Sequence, residues 1–275
     1  MASKRLIISG ILLAFAALPA LAQATNETVS PLTTIMFPRS HAPMRLHGLR
    51  PGPDGSVESD NWSGYAVTGS SFTQAKGSWT VPTVDCSKTP NTYAAFWVGL
   101  DGYSSATVEQ TGTDSDCDGD NPSYYAWYEF YPQGSVVISS LSVSPGNQIS
   151  AEVSYSDSEF TIKITNENTG KSYSKSSKVS GAKRSSAEWI AEAPCCTSGG
   201  GILPLSDFGT VYLGADYTGI SGTNDAIDST KSGPISEFDS DVEKITMVSS
   251  KGKDEAVPSA LTSDGSSFDV VWKSE

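Results

Sequence analysis

Acid–base chemistry in the larger part of this 275-residue chain has to come from carboxyl, amide, lysine or tyrosine side chains. The chain holds two histidines, His41 and His47, and both precede residue 61. A Ser-His-Asp or Cys-His nucleophile needs an imidazole base, and zinc hydrolases usually need histidine ligands. Removal of residues 1–60 would therefore exclude these mechanisms, and we expect neither a metal nor another cofactor. Because carboxyls are many and lysines few, an acidic working pH follows.

The net charge limits the kinds of binding partner, and the first residues indicate where the protein is located. A net charge of −13 and a pI near 4.5 disfavour nucleic acid and anionic membrane surfaces as partners. Residues 1–22 predict a signal peptide, with Lys4 and Arg5 before a short apolar run and a small-residue site at 20–22. We therefore expect a secreted, extracellular and monomeric protein.

Residues 23–60 predict a pro-segment rather than a folded unit, with an approximate boundary at residue 60. Five prolines between positions 31 and 53 argue against regular structure. The same stretch carries Arg39, Arg45 and Arg50 before an acidic domain. Such a basic segment either docks on that domain and shields a site, or is a linker without this role.

Residues 61–275 predict one all-β domain. Alternation of apolar and polar residues over 148–155 and again over 160–164 indicates strands with one buried face. Residues 168–170, Asn-Thr-Gly, predict a hairpin turn. The acidic run from Asp114 to Asp120 resembles half of a calcium loop, but Tyr125 stands where a bidentate Glu is needed, so we predict a solvated acidic loop. The fold class is a β-sandwich, of jelly-roll or concanavalin-like type, built from two antiparallel sheets. Further strands are predicted at 64–67, 78–84, 94–100, 124–131, 136–141, 185–192, 208–213, 242–247 and 267–272.

Four cysteines allow three pairings, and the sequence does not choose among them. In an exported chain, Cys86 and Cys117 could close a loop of moderate length as a disulfide. The adjacent Cys195 and Cys196 could form a vicinal bridge or stay reduced.

Five segments, taken in order, resemble the glutamic peptidases, the eqolisin family of acid proteases. They are N-W-S-G-Y at 61–65, F-W-V-G-L-D-G at 96–102, V-E-Q-T-G-T-D at 108–114, Y-Y-A-W-Y-E-F-Y-P at 124–132, and A-E-W-I-A-E-A-P at 187–194. The resemblance implies a protein substrate, a preproprotein, and a catalytic pair formed by Gln110 and Glu192. It also implies that Trp62 lines the substrate cleft and that pepstatin-type inhibitors fail.

The chemistry of these residue types is consistent with that implied pair. An ionised Glu192 can take a proton from water as general base, while the Gln110 amide stabilises the developing oxyanion. For Glu192 to stay ionised in acid, hydrogen bonds should lower its pKa. Asp101, Asp114 and Glu129 are predicted to form a carboxyl network around Gln110.

Other interpretations remain at the level of the sequence. Gln110 could satisfy a backbone group, and Glu192 could be a solvated strand carboxylate. Glu188 competes with Glu192, because residues four apart on a strand share one face. A jelly-roll glycoside hydrolase would use Glu129 and Glu192, and a lectin-like module would use only the aromatic residues for binding.

Overall fold

The computed structural model describes residues 39–48, 52, 55–195 and 201–275. The predicted signal peptide, residues 23–38 of the predicted pro-segment, Arg50 and Cys196 lie outside the described residues. In the described part, β-strands alternate with short turns, as the period-two pattern predicts. The first strands are β1 (Val57–Ser59), β2 (Trp62–Thr68), β3 (Gln74–Thr80), β4 (Ala95–Leu100), β5 (Val108–Asp118), β6 (Asn121–Tyr131), β7 (Val136–Val137), β8 (Gln148–Ser156) and β9 (Glu159–Asn166).

The second half of the chain continues in the same way, with two short helical segments. Its elements are β10 (Lys171–Ser177), β11 (Ser186–Glu192), β12 (Thr210–Leu213), α1 (Ala215–Thr218), β13 (Asp225–Ile227), β14 (Ser232–Pro234), a 3₁₀ segment (Ile235–Asp241), β15 (Val242–Val248), β16 (Asp254–Pro258) and β17 (Phe268–Trp272). None of the helical segments in the described chain has the length and apolar character that crossing a bilayer requires.

The strands form two layers. The first layer runs in the order β1, β15, β2, β11, β4, β5, β6 and β7. The second runs β10, β9, β8, β3, β12, β17 and β16, with β13 also paired to β3 and β14 paired to β13. Pairing of β15 with β16 joins the layers, and β1–β15 is the parallel pair among otherwise antiparallel neighbours. The prediction of a β-sandwich is confirmed.

The main core lies between the layers and fixes which face of the first layer is left for a site. On β11, Ala187, Trp189 and Ala191 belong to this core. The Trp189 indole donates a hydrogen bond to the Lys76 carbonyl of β3, 2.6 Å away. Because side chains alternate along a strand, Glu188, Ile190 and Glu192 point to the opposite face. That face carries a second apolar cluster containing Trp62, Trp97 and Trp127.

Strand β5 corrects the prediction of a solvated acidic loop. Asp114 and Asp116 lie on a strand, and both are buried. They share one face with Gln110, and their partner strand β6 places the Tyr125 hydroxyl 2.7 Å from Asp114 and 3.0 Å from Asp116. A run of acids is typical of an exposed loop, but here other side chains cover it, and the turn is limited to Gly119 and Asp120.

Two further predictions are confirmed, and two strands differ in extent. Cys86 and Cys117 form a disulfide, and residues 168–170 lie in the turn between β9 and β10. The strand predicted over 78–84 begins and ends earlier, as β3. The one predicted over 136–141 is reduced to the two residues of β7.

Candidate active site

A segment preceding the sandwich crosses the outer face of the first layer. We call residues 39–48 the leader segment. Its later part pairs with β1, since His47 N–H donates to the Glu58 carbonyl at 2.8 Å and Leu46 forms a β-bridge with Ser59. Its earlier part enters a cleft lined by β4, β5, β6 and β11, where His41 is completely buried.

Gln110 lies at the centre of this cleft, on β5. Its side-chain Nε2 donates to the His41 carbonyl oxygen at 2.6 Å and lies 3.1 Å from Glu129 Oε2. A glycine on β4 leaves room for this side chain, and a glycine on β5 lets the two strands approach closely. A β-carbon at Gly99, which faces Gln110 across the strand pair, would lie 3.2 Å from the Gln110 β-carbon. One at Gly112 would lie 2.3 Å from the Phe96 carbonyl oxygen, closer than a β-carbon can approach.

Glu192 reaches the same leader residue from the other side of β4. Its Oε2 accepts a hydrogen bond from the Trp97 indole at 2.8 Å and lies 3.3 Å from His41 Nδ1. The amide of Gln110 and the carboxyl of Glu192 therefore meet at one residue of a bound polypeptide segment. This arrangement can polarise a peptide carbonyl from one side and exchange a proton from the other.

The imidazole of His41 lies beside Glu192, Asp114 and Trp127. Its ring stacks on Trp127 with centroids 3.6 Å apart and planes inclined by 8°. Its Nε2 lies 3.7 Å from Asp114 Oδ1. Burial, assisted by the nearby Arg39 charge, lowers the pKa of His41 well below its ordinary value, which favours the neutral ring.

The carboxyls around the cleft are shifted in the opposite direction. Burial raises the pKa of Glu129 to about 8 and that of Asp116 to about 7. Burial and the neighbouring Asp116 raise the pKa of Asp114 well above its usual range. These groups hold their protons in acid, so they can lie close together without mutual repulsion.

The prediction that the pKa of Glu192 is lowered is wrong for this arrangement. Complete burial, followed by the nearby carboxyls of Glu129 and Asp114, raises its pKa well above the ordinary value. The Trp97 hydrogen bond acts in the expected direction but does not compensate for the loss of solvent.

Comparison with known proteins identifies the family of this chain. Residues 60–258 match the profile of the peptidase A4 family. This chain belongs to the peptidase A4 family. It is 29% identical over 218 residues to aspergillopepsin-2 of Aspergillus niger, an alignment that covers 70% of this chain and 75% of that protein. It is 33% identical over 194 residues to scytalidopepsin B of Scytalidium lignicola, covering 66% and 72%.

A solved structure extends the agreement to the fold. The crystal structure of scytalido-glutamic peptidase with a transition state analog inhibitor superposes with a TM-score of 0.64 at 26% identity, covering 78% of this chain and 98% of that one. The chain is thus a glutamic peptidase, a peptide hydrolase with the predicted sandwich fold. Membership of this family decides against the glycoside hydrolase and the lectin-like module.

Trp62 and Asp101 were also predicted to belong to the site of Gln110 and Glu192, and the structure places them differently. Trp62 is buried in the cleft, and its indole donates to the Ala42 carbonyl of the leader segment at 3.2 Å. Asp101 is bonded elsewhere. Its carboxylate accepts the backbone N–H groups of residues 183–185 at 2.7–2.9 Å and holds that loop against the end of β4.

Glu188 shares a face with Glu192 but has different neighbours. Its carboxyl group is completely buried, near the Ser186 side chain and the Tyr103 backbone. Burial raises its pKa well above the ordinary value, and Asp101 and Glu109 are the nearby carboxyls that add to this. Its surroundings are therefore a separate carboxyl cluster, four residues along β11 from Glu192.

Sequence reasoning missed three side chains that shape the cleft. Trp97 and Trp127 were indistinguishable from core residues, yet one binds Glu192 and the other stacks on His41. His41 itself was set aside with the leader. The available signal was the spacing on β5, where Gln110, Gly112, Asp114 and Asp116 alternate and therefore share one face.

Proposed function

We propose that this glutamic peptidase is a secreted acid endopeptidase that hydrolyses protein substrates with Gln110, Glu192 and a water molecule. The observation that carries the proposal is the convergence of the Gln110 amide and the Glu192 carboxyl on one residue of a bound polypeptide segment. No covalent intermediate is required, and with no aspartate pair acting as the catalytic groups, pepstatin-type inhibitors should have no effect.

In the proposed reaction, Glu192 takes a proton from water, which attacks the peptide carbonyl carbon. The Gln110 amide donates to the oxygen on which negative charge develops. Glu192 then returns the proton to the nitrogen of the leaving amine. Since the amide does not titrate, the oxyanion donor works unchanged across the acidic range.

We also propose that residues 1–22 are a signal peptide, 23–60 a pro-segment and 61–275 the catalytic domain. The position of the leader segment supports this division, because it covers both proposed catalytic groups. Its burial of Glu192 also raises the pKa of that carboxyl and so favours the protonated form, which is not a base. Departure of the leader returns solvent to Glu192 and reduces this shift.

The test measures cleavage of an unfolded protein at acidic pH by the purified enzyme and four preparations derived from it. Glu192→Gln and Gln110→Ala should lose at least about a hundredfold in rate, the usual cost of removing one such group. Glu188→Gln is the matched control, being an equally buried glutamate on the same strand and face. Enzyme treated with pepstatin should keep its activity.

The opposite pattern would contradict the assignment. If Glu188→Gln abolishes cleavage and Glu192→Gln does not, then Glu188 is the base. Thermal unfolding of each variant separates loss of a catalytic group from loss of the fold.

A further inference from the structure

Backbone hydrogen bonds hold the leader segment in the cleft, in addition to the contacts of the His41 ring. Ser40 exchanges both backbone hydrogen bonds with Cys195, at 3.2 and 2.8 Å, and Met44 N–H donates to the Gly102 carbonyl at 3.1 Å. The Arg39 carbonyl accepts from the Ser135 hydroxyl. Backbone pairing of this kind recognises an extended chain whatever its side chains are. A peptidase has to hold its substrates in the same way.

These contacts bracket one peptide bond. The His41 N–H donates to Glu129 Oε2 at 2.9 Å, and the His41 carbonyl accepts from Gln110 Nε2 at 2.6 Å. On the other side of the bond, the Ala42 carbonyl accepts from the Trp62 indole at 3.2 Å. The carbonyl bonded to the proposed oxyanion donor is therefore that of the His41–Ala42 bond.

We propose that His41–Ala42 is a self-cleavage site, the bond that this peptidase hydrolyses first within its own chain. The inference rests on the proposed function of Gln110 and Glu192. It adds the register and direction of the chain in the cleft, with His41 on the side that gains the new carboxyl group. The cut falls inside the segment predicted to be removed.

The step balances with water as the only co-reactant. The water oxygen bonds to the His41 carbonyl carbon while one of its protons passes to Glu192, and Gln110 Nε2 carries the hydrogen bond to the oxyanion. The bond from that carbon to the Ala42 nitrogen then breaks, and Glu192 passes its proton to the nitrogen. The products are a chain ending in a His41 carboxyl and a chain beginning with an Ala42 amine.

His41 itself supplies a place for the proton that Glu192 has to lose beforehand. Its Nδ1 lies 3.3 Å from Glu192 Oε2. A neutral carboxyl–imidazole pair and a carboxylate–imidazolium pair contain the same number of protons, so the ionised base forms without exchange with solvent. Burial disfavours the charged pair, and we therefore expect a slow step that occurs once per chain.

A second histidine provides an internal control. His47 is in the same segment, but its ring lies 2.6 Å from Asp60 and its backbone pairs with Glu58, outside the cleft. If the cut depended on a preference for histidine or on accessibility alone, the His47–Gly48 bond should be cut as readily. If the register in the cleft decides, it should stay intact while His41–Ala42 is cut.

The experiment follows the purified precursor, residues 23–275, in acidic buffer made with ¹⁸O-water. Intact-mass and N-terminal analysis identify the first new chain end, and the fragment ending at His41 should carry one ¹⁸O atom. The first-order rate should not change on tenfold dilution, because the reaction is intramolecular. Glu192→Gln and Gln110→Ala precursors should be slower by at least about a hundredfold, whereas Glu188→Gln should cut normally.

A first chain end elsewhere with His41–Ala42 intact would overturn the inference, and so would an unchanged cut in Glu192→Gln. An unfolded protein added in parallel separates this failure from failure of the proposed function. Glu192-dependent cleavage of that protein without the Ala42 end overturns only the self-cleavage site. If neither substrate is cleaved, the self-cleavage site is overturned. Because an uncut leader covers Gln110 and Glu192, the proposed function is then decided by the cleavage test on enzyme from which the leader has been removed. Thermal unfolding shows that each variant is folded.

Discussion

Replacing His41 by alanine should open the cleft of the precursor. The leader segment covers Gln110 and Glu192, so an uncut precursor acts on an added substrate only in the fraction of molecules whose leader has left the cleft. His41 is the leader residue whose side chain is completely buried between Trp127, Asp114 and Glu192. Its removal therefore weakens the closed state directly.

The expected increase in the open fraction follows from the contacts that the His41 ring makes in the cleft. A stacked aromatic pair contributes about 0.5–1.5 kcal/mol beyond its buried area. Full burial of an apolar side chain contributes about 1.5–3 kcal/mol, and we take the lower part of that range, about 1.5–2 kcal/mol, because both ring nitrogens of His41 are buried without a hydrogen bond to the described residues. Together they amount to about 3 kcal/mol, and a factor of ten corresponds to about 1.4 kcal/mol. The open fraction, and with it the rate toward an added substrate, should rise about a hundredfold in His41→Ala.

The assay records the initial rate on an internally quenched peptide while mass spectrometry shows that the precursor is still uncut. His47→Ala is the matched control, since it removes an imidazole from the same segment but outside the cleft, and its rate should stay within a few-fold of the wild type. Equal rates for His41→Ala and the wild type, or an equal increase in both variants, would refute the argument that the buried imidazole closes the cleft.

Two further predictions concern stability. Burial and the nearby Asp101 raise the pKa of Glu109 to about 9, so its contribution to stability is complete below the unfolded pKa near 4.3 and is lost as pH rises toward 9, at about 1.4 kcal/mol per pH unit. Melting temperatures should therefore be higher near pH 4 than near pH 8. Glu109→Gln should reduce this difference, while the exposed control Glu159→Gln should leave it unchanged. A melting temperature that rises from pH 4 to pH 8 would contradict this. Replacing Cys86 and Cys117 by serine should lower the free energy of unfolding by about 3–4 kcal/mol, because the disulfide closes a loop with a sequence separation of 31. Denaturant titration measures this, and an unchanged midpoint would show that the loop is equally restricted without the bond.

The fold was predictable where burial on one face imposes a period of two. Strand β8 alternates buried and partly exposed residues along its length, and the sequence shows that alternation directly. Strand β5 was not predictable in this way, because its buried face is acidic. Only the covering by Tyr125 and by the leader segment makes Asp114 and Asp116 interior residues.

The choice between Glu188 and Glu192 shows most clearly what strand periodicity cannot predict. Both lie on one face of β11, and the backbone register even places Glu188 across β4 from Gln110, through Gly99. From this register alone, Glu188 would be expected beside Gln110, but the side-chain contacts differ. Glu192 meets His41 beside Trp97, whereas Glu188 lies with Asp101 and Glu109. The ordered motifs that resemble the family point to Glu192 without using this information.

The sequence by itself limited the acid–base groups after residue 60 to carboxyl, amide, lysine and tyrosine side chains, because no histidine follows that position. Its alternating pattern also predicted strands with one buried face, as in a β-sandwich. Tertiary structure decided which of these groups meet and what charge they carry. Solvent exclusion under the leader segment raises the pKa of Glu192, although hydrogen bonding alone predicts the reverse. The same packing brings His41, a residue distant in the chain from Gln110 and Glu192, between them, because burial and register depend on strands that are neighbours only after folding.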